Sequence, residues 1–192
     1  MADNSATAAA IGGVALLERA INYTLGSLLL VTPRLLSRPT PCSEWDLRAL
    51  LSHMNDSFDA LCEAVDDGWV SLTPSAYDRD ADPVGRLRDK ACRLIGSWTS
   101  NPPDLVAVAG CPVTATIVTT AGAMEVVVHG WDVAEACGQR RRIPDELAEE
   151  LLELAPLFVT DADRDVRFAP PLTVLPDAGP GVQLLAFLGR RL

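Results

Sequence analysis

The 192-residue chain contains two histidines, His53 and His129, and each lies inside an apolar pattern of helical period. Glu125 stands four residues before His129, in the run Ala123-Met124-Glu125-Val126-Val127-Val128-His129-Gly130-Trp131-Asp132. On a helix that spacing puts both side chains on one face, one turn apart. The rest of the run is largely small or aliphatic, so an ionised carboxylate there needs a partner, and a metal ion supplies one. With His53 from another helix the set becomes two imidazoles and one carboxylate, a combination that catalytic zinc sites use while keeping a coordination position open. Asp132, three residues after His129, is placed to accept the second ring proton of a ligating histidine and fix its tautomer. Asp56, three residues after His53, is a candidate for the same service to His53, or for carrying a proton. Plainer readings stand beside these. A Glu125–His129 hydrogen bond within one helix needs no metal, and His53 could simply bond to Asp56 or Ser57. Asp132 could be an exposed carboxylate bonded to Trp131 or Arg140.

These residues require helices to carry them. A first apolar-periodic segment runs over about 8–31, with Leu16, Leu17, Ala20, Ile21, Leu25, Leu28 and Leu29 on its stripe, and Pro33, Pro39 and Pro41 break it. Ser43 reads as the cap of a second helix reaching about 66, with Glu44 and Asp46 in its first turn and Leu47, Leu50, Leu51, Met54, Phe58, Leu61 and Val65 facing inward. The stretch 73–83, rich in Asp and Pro, reads as a loop. A third helix is expected over 84–99 and a linker through Gly110 and Pro112. A long fourth helix is expected over 115–137, closed by Gly138, and a fifth from Pro144 to about 159. Beyond it, prolines and glycines cut the chain into short pieces, with 172–175 as one candidate strand and 182–188 as a terminal helical turn or two. Four long helices with short connections make a mainly all-α antiparallel four-helix bundle with an additional helix, an architecture that builds metal sites from inward side chains on facing helices. Residues 1–192 are expected to form one domain, with 1–6 disordered.

Composition narrows the function classes. Acidic residues number 26 against 16 basic, a formal charge of -10, which repels phosphate backbones and argues against nucleic acid. The polar start lacks the basic region of a signal peptide, and the apolar stretch 105–136 carries Glu125, His129 and Asp132, so no membrane span is expected. Five cysteines without CxxC spacing fit reduced thiols and a cytoplasmic location. Cys42, just before a helix start, a setting that lowers a thiol pKa, still reads as a buried or partly buried structural cysteine. Arg140, Arg141 and Arg142 read as a solvated cap on the fourth helix.

The segment Pro39-Thr40-Pro41-Cys42-Ser43-Glu44-Trp45-Asp46, continued to Leu50 and His53, resembles the TPC(S/D)xWxxxxLxxH opening of an actinobacterial family. The run from Glu125 through His129 to Ala134 resembles its ExxxHxWDLA helix, and the end Leu184-Leu185-Ala186-Phe187-Leu188-Gly189-Arg190 is similar to its close. This is the DinB-like group that includes mycothiol-dependent maleylpyruvate isomerase and related metal-binding proteins. The resemblance implies a DinB-like bundle with a divalent metal, usually zinc, held by His53, Glu125 and His129, and with mycothiol as cosubstrate. It implies a thiol transferase or isomerase whose metal-activated thiolate attacks a small electrophilic substrate, with Asp132 and Asp56 in supporting catalytic roles. The isomerase carries a further C-terminal domain, for which this chain is expected to be too short, so its substrate is not carried over. Two alternatives remain: a metal hydrolase that needs no thiol, and a non-catalytic bundle binding a small molecule or a partner. The sequence leaves a homodimer through an exposed bundle face open.

Overall fold

The computed structural model describes residues 2–42, 44–71, 82–100, 102–164 and 167–191. Among the described residues the apolar stripes form six α-helices in chain order: α1 (Ala2–Leu28), α2 (Leu47–Asp66), α3 (Pro83–Ser100), α4 (Ala115–Ala136), α5 (Asp145–Leu154) and α6 (Pro180–Phe187). By their contacts these group into two compact units, Met1–Gln139 and Arg140–Leu192. No helix among the described residues is long and apolar enough to cross a membrane.

In the first unit α1 packs along α4, α2 packs on α3 and α4, and α1 also meets α3, which makes the four-helix bundle. Leu16, Leu17, Ala20 and Ile21 of α1, Leu47, Leu50, Leu51, Met54 and Phe58 of α2, and Leu87, Leu94 and Trp98 of α3 are all buried. The Trp98 indole N–H donates to the Leu61 carbonyl at 3.2 Å, and the Asn55 amide donates to the Leu51 and Pro83 carbonyls at 2.9 and 3.0 Å, so polar groups join α2 to α3 inside the apolar seam. At its rim Lys90 pairs with Asp59 at 2.7 Å and Arg93 pairs with Asp66.

α4 has no polar face. Val126, Val127, Val128, Trp131, Val133 and Ala134 are buried on every side, and so are His129 and Asp132. Such a helix belongs in the middle of a bundle. Its neighbours come unusually close where it has glycine. A Cβ built on Gly130 would lie 3.0 Å from Cβ and 3.2 Å from Cα of Thr24, whose hydroxyl donates to the Val126 carbonyl at 2.7 Å.

Several boundaries differ from the sequence reading. α1 begins at Ala2, so the stretch 2–6 expected to be disordered lies in its first turns. Ser43, expected to cap α2, lies outside the described residues, as does most of the expected 73–83 loop. The observed cap is Asp46, whose Oδ1 accepts from the Ala49 amide at 2.8 Å. α2 therefore starts three residues after Glu44, with no acidic residue in its first turn. The expected linker before α4 is a hairpin, β2 (Leu105–Val108) and β3 (Cys111–Thr114), and β1 (Trp69–Val70) pairs parallel with β2 to complete a three-stranded sheet. Ala109 and Gly110 both have positive φ, 51° and 78°, the two-residue turn whose twist suits antiparallel strands. The signal was masked because Ala109 is an unusual residue for such a turn.

In the second unit α5 packs on α6, with Leu147, Ala148, Leu151, Leu184 and Leu185 buried. Pro144 stands at the cap of α5 and not inside it, and α5 passes into a 3-10 turn at Ala155–Leu157. Residues 172–175 form no strand; the Leu172 amide donates to the Ala186 carbonyl at 2.9 Å instead. Pro170, Pro171 and Pro176 flank the segment and lack the N–H groups a ladder requires.

None of the five cysteines forms a disulfide. Burial pushes the Cys62 thiol up to about 11, with Asp66 and Asp59 adding to the rise against Arg93 and Lys90. That lowers its thiolate fraction about a hundredfold at neutral pH. With a maleimide, exposed Cys92 and Cys111 are expected to react first and Cys62 only on unfolding; peptide mapping showing Cys62 labelled as fast as Cys92 would contradict its placement. Gly130→Ala is expected to cost about 1–3 kcal/mol through overpacking. Gly12→Ala, with nothing within 4 Å of the new Cβ, is expected to be neutral or to stabilise by up to about 1 kcal/mol. Denaturant titration of the two variants checks the contrast.

Candidate metal centre

α2 and α4 lie side by side, and His53 from one meets Glu125 and His129 from the other. His53 Nε2 is 2.5 Å from Glu125 Oε1, and His129 Nε2 is 3.2 Å from the same oxygen. The Ser57 hydroxyl, one turn after His53, lies 3.1 Å from Glu125 Oε1 and 3.2 Å from the His53 carbonyl. The histidine rings meet edge to face with centroids 5.0 Å apart. The His53 and Glu125 side chains are about one-third exposed, 36% and 35%, whereas His129 is 8% exposed. The cluster is thus open on one side and closed behind.

Behind it stands Asp132, fully buried, with Oδ2 2.9 Å from His129 Nδ1. A ring whose Nδ1–H is given to a carboxylate presents its Nε2 lone pair to the other side. Burial alone would raise the Glu125 pKa, but the attraction of His129, hydrogen bonds from both rings and the charge of His53 hold the carboxyl well below the usual range. Burial likewise disfavours charge on His129. Glu125, Asp132 and Cys42 outweigh it and lift the imidazole well above its ordinary value.

The donor set fits a divalent cation. One ligand atom each from His53, Glu125 and His129 lie within 4.8 Å of one another, and two nitrogens with one carboxylate oxygen are a set that zinc accepts. The same atoms also make a stable hydrogen-bonded cluster, because the ring protons can take the place of the cation between them.

The structure brings together His53, Glu125, His129 and Asp132. Of the two readings of Asp132, the exposed carboxylate does not occur: the residue is fully buried behind His129. Asp56 is not brought to the His53 ring: no hydrogen bond joins them, the ring is turned to Glu125, and Asp56 Oδ1 is buried without a hydrogen-bond partner. Ser57 does meet His53, but through the backbone carbonyl and not the ring.

Three neighbours were not legible as site residues. Ser57 reaches Glu125 across the helix seam. The Trp45 ring tilts against His53 with centroids 4.6 Å apart and stands 6.1 Å from His129. Cys42 Sγ lies 3.4 Å from Asp132 Oδ2 and 3.9 Å from His129 Nδ1. Their signal in the sequence was the motif that carries Cys42 and Trp45 ahead of His53; periodicity could not find them, because both lie outside the helices.

Two uncharacterized proteins from two strains of Mycobacterium tuberculosis are each 28% identical to the chain over 160 residues, covering 81% of it and 85% of their own length. The family described as the mycothiol maleylpyruvate isomerase N-terminal domain matches residues 17–134, which hold α2, α3, all but the last residues of α4 and every residue of the cluster. The helical bundle is consistent with the DinB-like superfamily. With more than half of its length matched, the chain belongs to the mycothiol maleylpyruvate isomerase N-terminal domain family.

Proposed function

We propose that the protein is a divalent-metal-dependent enzyme of thiol chemistry, a transferase or isomerase that uses mycothiol against a small electrophile. The observation that carries this reading is the convergence of His53 Nε2, His129 Nε2 and Glu125 Oε1 at a half-open site. Membership of a family described by a mycothiol-dependent isomerase supplies the thiol. His53, Glu125 and His129 would hold the cation, with zinc the metal this donor set suits well. When bound, such a cation supplies positive charge that lowers a thiol pKa from about 8.5 and favours the nucleophilic thiolate.

The chain's own residues do the rest. Asp132 Oδ2 holds the His129 Nδ1 proton, so the Nε2 lone pair faces the open side. The Ser57 hydroxyl donates to Glu125 Oε1 and restricts the carboxylate's rotation. Trp45 walls one side of His53 with an apolar ring, which keeps water off that edge. The aliphatic flanks of α4 lower the local dielectric, which strengthens the pull of any positive charge held there on a bound thiol.

Elemental analysis of the purified protein tests the reading first. About one zinc or similar ion per chain is expected, and it should be lost in His53→Ala and in His129→Ala. Transfer of mycothiol to a test electrophile should fall to background in the same variants, since each removes a ligand and not merely a supporting contact. A wild-type protein that is metal-free and resists reconstitution would leave Glu125 and the histidines as a structural pairing. Metal-dependent turnover that is indifferent to added thiol would point to a hydrolase.

A further inference from the structure

His129 belongs to two clusters at once. Through Nε2 it faces Glu125 and His53; through Nδ1 it faces Asp132 and Cys42, whose ligand-type atoms also lie within 4.8 Å of one another. One imidazole serves both only if the two sides do different work. The Asp132 side is closed, with the carboxylate fully buried, and its 2.9 Å contact to Nδ1 is a hydrogen bond that a cation there would abolish. The Glu125 side is one-third open. A cation therefore suits the open side, and hydrogen bonds suit the closed one.

We propose that Cys42 is a positioning residue of this centre: its thiol donates to Asp132 Oδ2, the oxygen that also takes the His129 Nδ1 proton, and so fixes the ring that presents Nε2 to the ligand site. The proposal rests on the metal-dependent reading above. Cys42 is held for this task by its loop. The Thr40 hydroxyl accepts from the Cys42 amide at 3.1 Å and lies 2.9 Å from the Trp45 carbonyl. The Trp45 amide donates to the Cys42 carbonyl at 2.9 Å, and Pro39 bridges to Asp46 where α2 begins. The clasp fixes two side chains of one short loop, each against a different histidine: Trp45 on the His53 ring, and Cys42 on the carboxylate behind His129. Sulfur suits the place. At 3.4 Å its S–H offers the carboxylate a second donor, a role that a serine hydroxyl can also fill with a small shift of the loop.

The test compares wild type, Cys42→Ala and Cys42→Ser by zinc affinity, from competition with a chelator, and by the His129 Nδ1-attached proton in NMR spectra of metal-free protein. Loss of the donor is expected to weaken zinc about tenfold in Cys42→Ala, with Cys42→Ser within about threefold of wild type, at the low end of what outer hydrogen-bond partners contribute. The Nδ1 proton should exchange faster in the alanine variant and recover in the serine variant. Unchanged affinity and an unchanged proton in Cys42→Ala would overturn the proposal, as would a serine variant no better than alanine. If Cys42→Ala does not fold, Thr40→Val loosens the loop with Cys42 intact and should weaken zinc in the same direction; wild-type affinity there overturns the proposal. If wild type binds no zinc, the metal-dependent reading falls, and the Nδ1 proton alone decides whether Cys42 positions the ring.

Discussion

Two carboxylates flank one buried imidazole on α4: Asp132, fully buried, is held against His129 Nδ1, and Glu125, about one-third exposed, is paired with both His129 and His53. An unpaired ion in such surroundings costs several kcal/mol, far more than any surface pair returns. The helix can carry them only because each has its partner in a fixed place: His129 Nε2 toward Glu125, His129 Nδ1 toward Asp132. This demand explains why α4 is surrounded. Packing by α1 and α2 removes water, and removing water is what makes the pairing strong.

The close packing that achieves this comes from small residues at the level of the site. Gly130 follows His129 directly and lets Thr24 of α1 reach the α4 backbone, where its hydroxyl bonds the carbonyl of Val126, the residue after Glu125. Gly122, one turn before Glu125, accepts Leu61 of α2 in the same way, with Leu61 Cδ2 at 2.6 Å from where a Cβ would be. Glu125 and His129 are thus bracketed by points where neighbouring helices press in. Backbone closeness fixes the register of α2 against α4, and with it the distance from His53 to Glu125. The loop before α2 finishes the enclosure from the end of the bundle.

Much of this was legible because it follows from period. The spacing of Glu125 and His129 on an apolar helix, the inward stripe of α2 and the four long helices all appear in the sequence, since a 3.6-residue repeat shows itself locally. The hairpin at Leu105–Thr114 did not, because its four-residue strands alternate poorly and its turn places alanine at positive φ. The Asp56–His53 pairing failed for a related reason. A step of three puts two residues on one face, but the ring of His53 turns across the seam to a stronger partner, and a step within a helix says nothing of what lies opposite.

The sequence by itself determined the elements, the ligand-type residues they carry and the acidic, cysteine-scattered character of the chain, because these depend on side-chain type and on spacing along one helix. Only the tertiary structure decided that His53 meets Glu125, that Asp132 is buried behind His129, and that Cys42, Trp45 and Ser57 join them. Those contacts run between residues far apart in the chain, or from loops without a period. They are set by how closely whole helices and the 39–46 loop pack, a property that no single segment encodes.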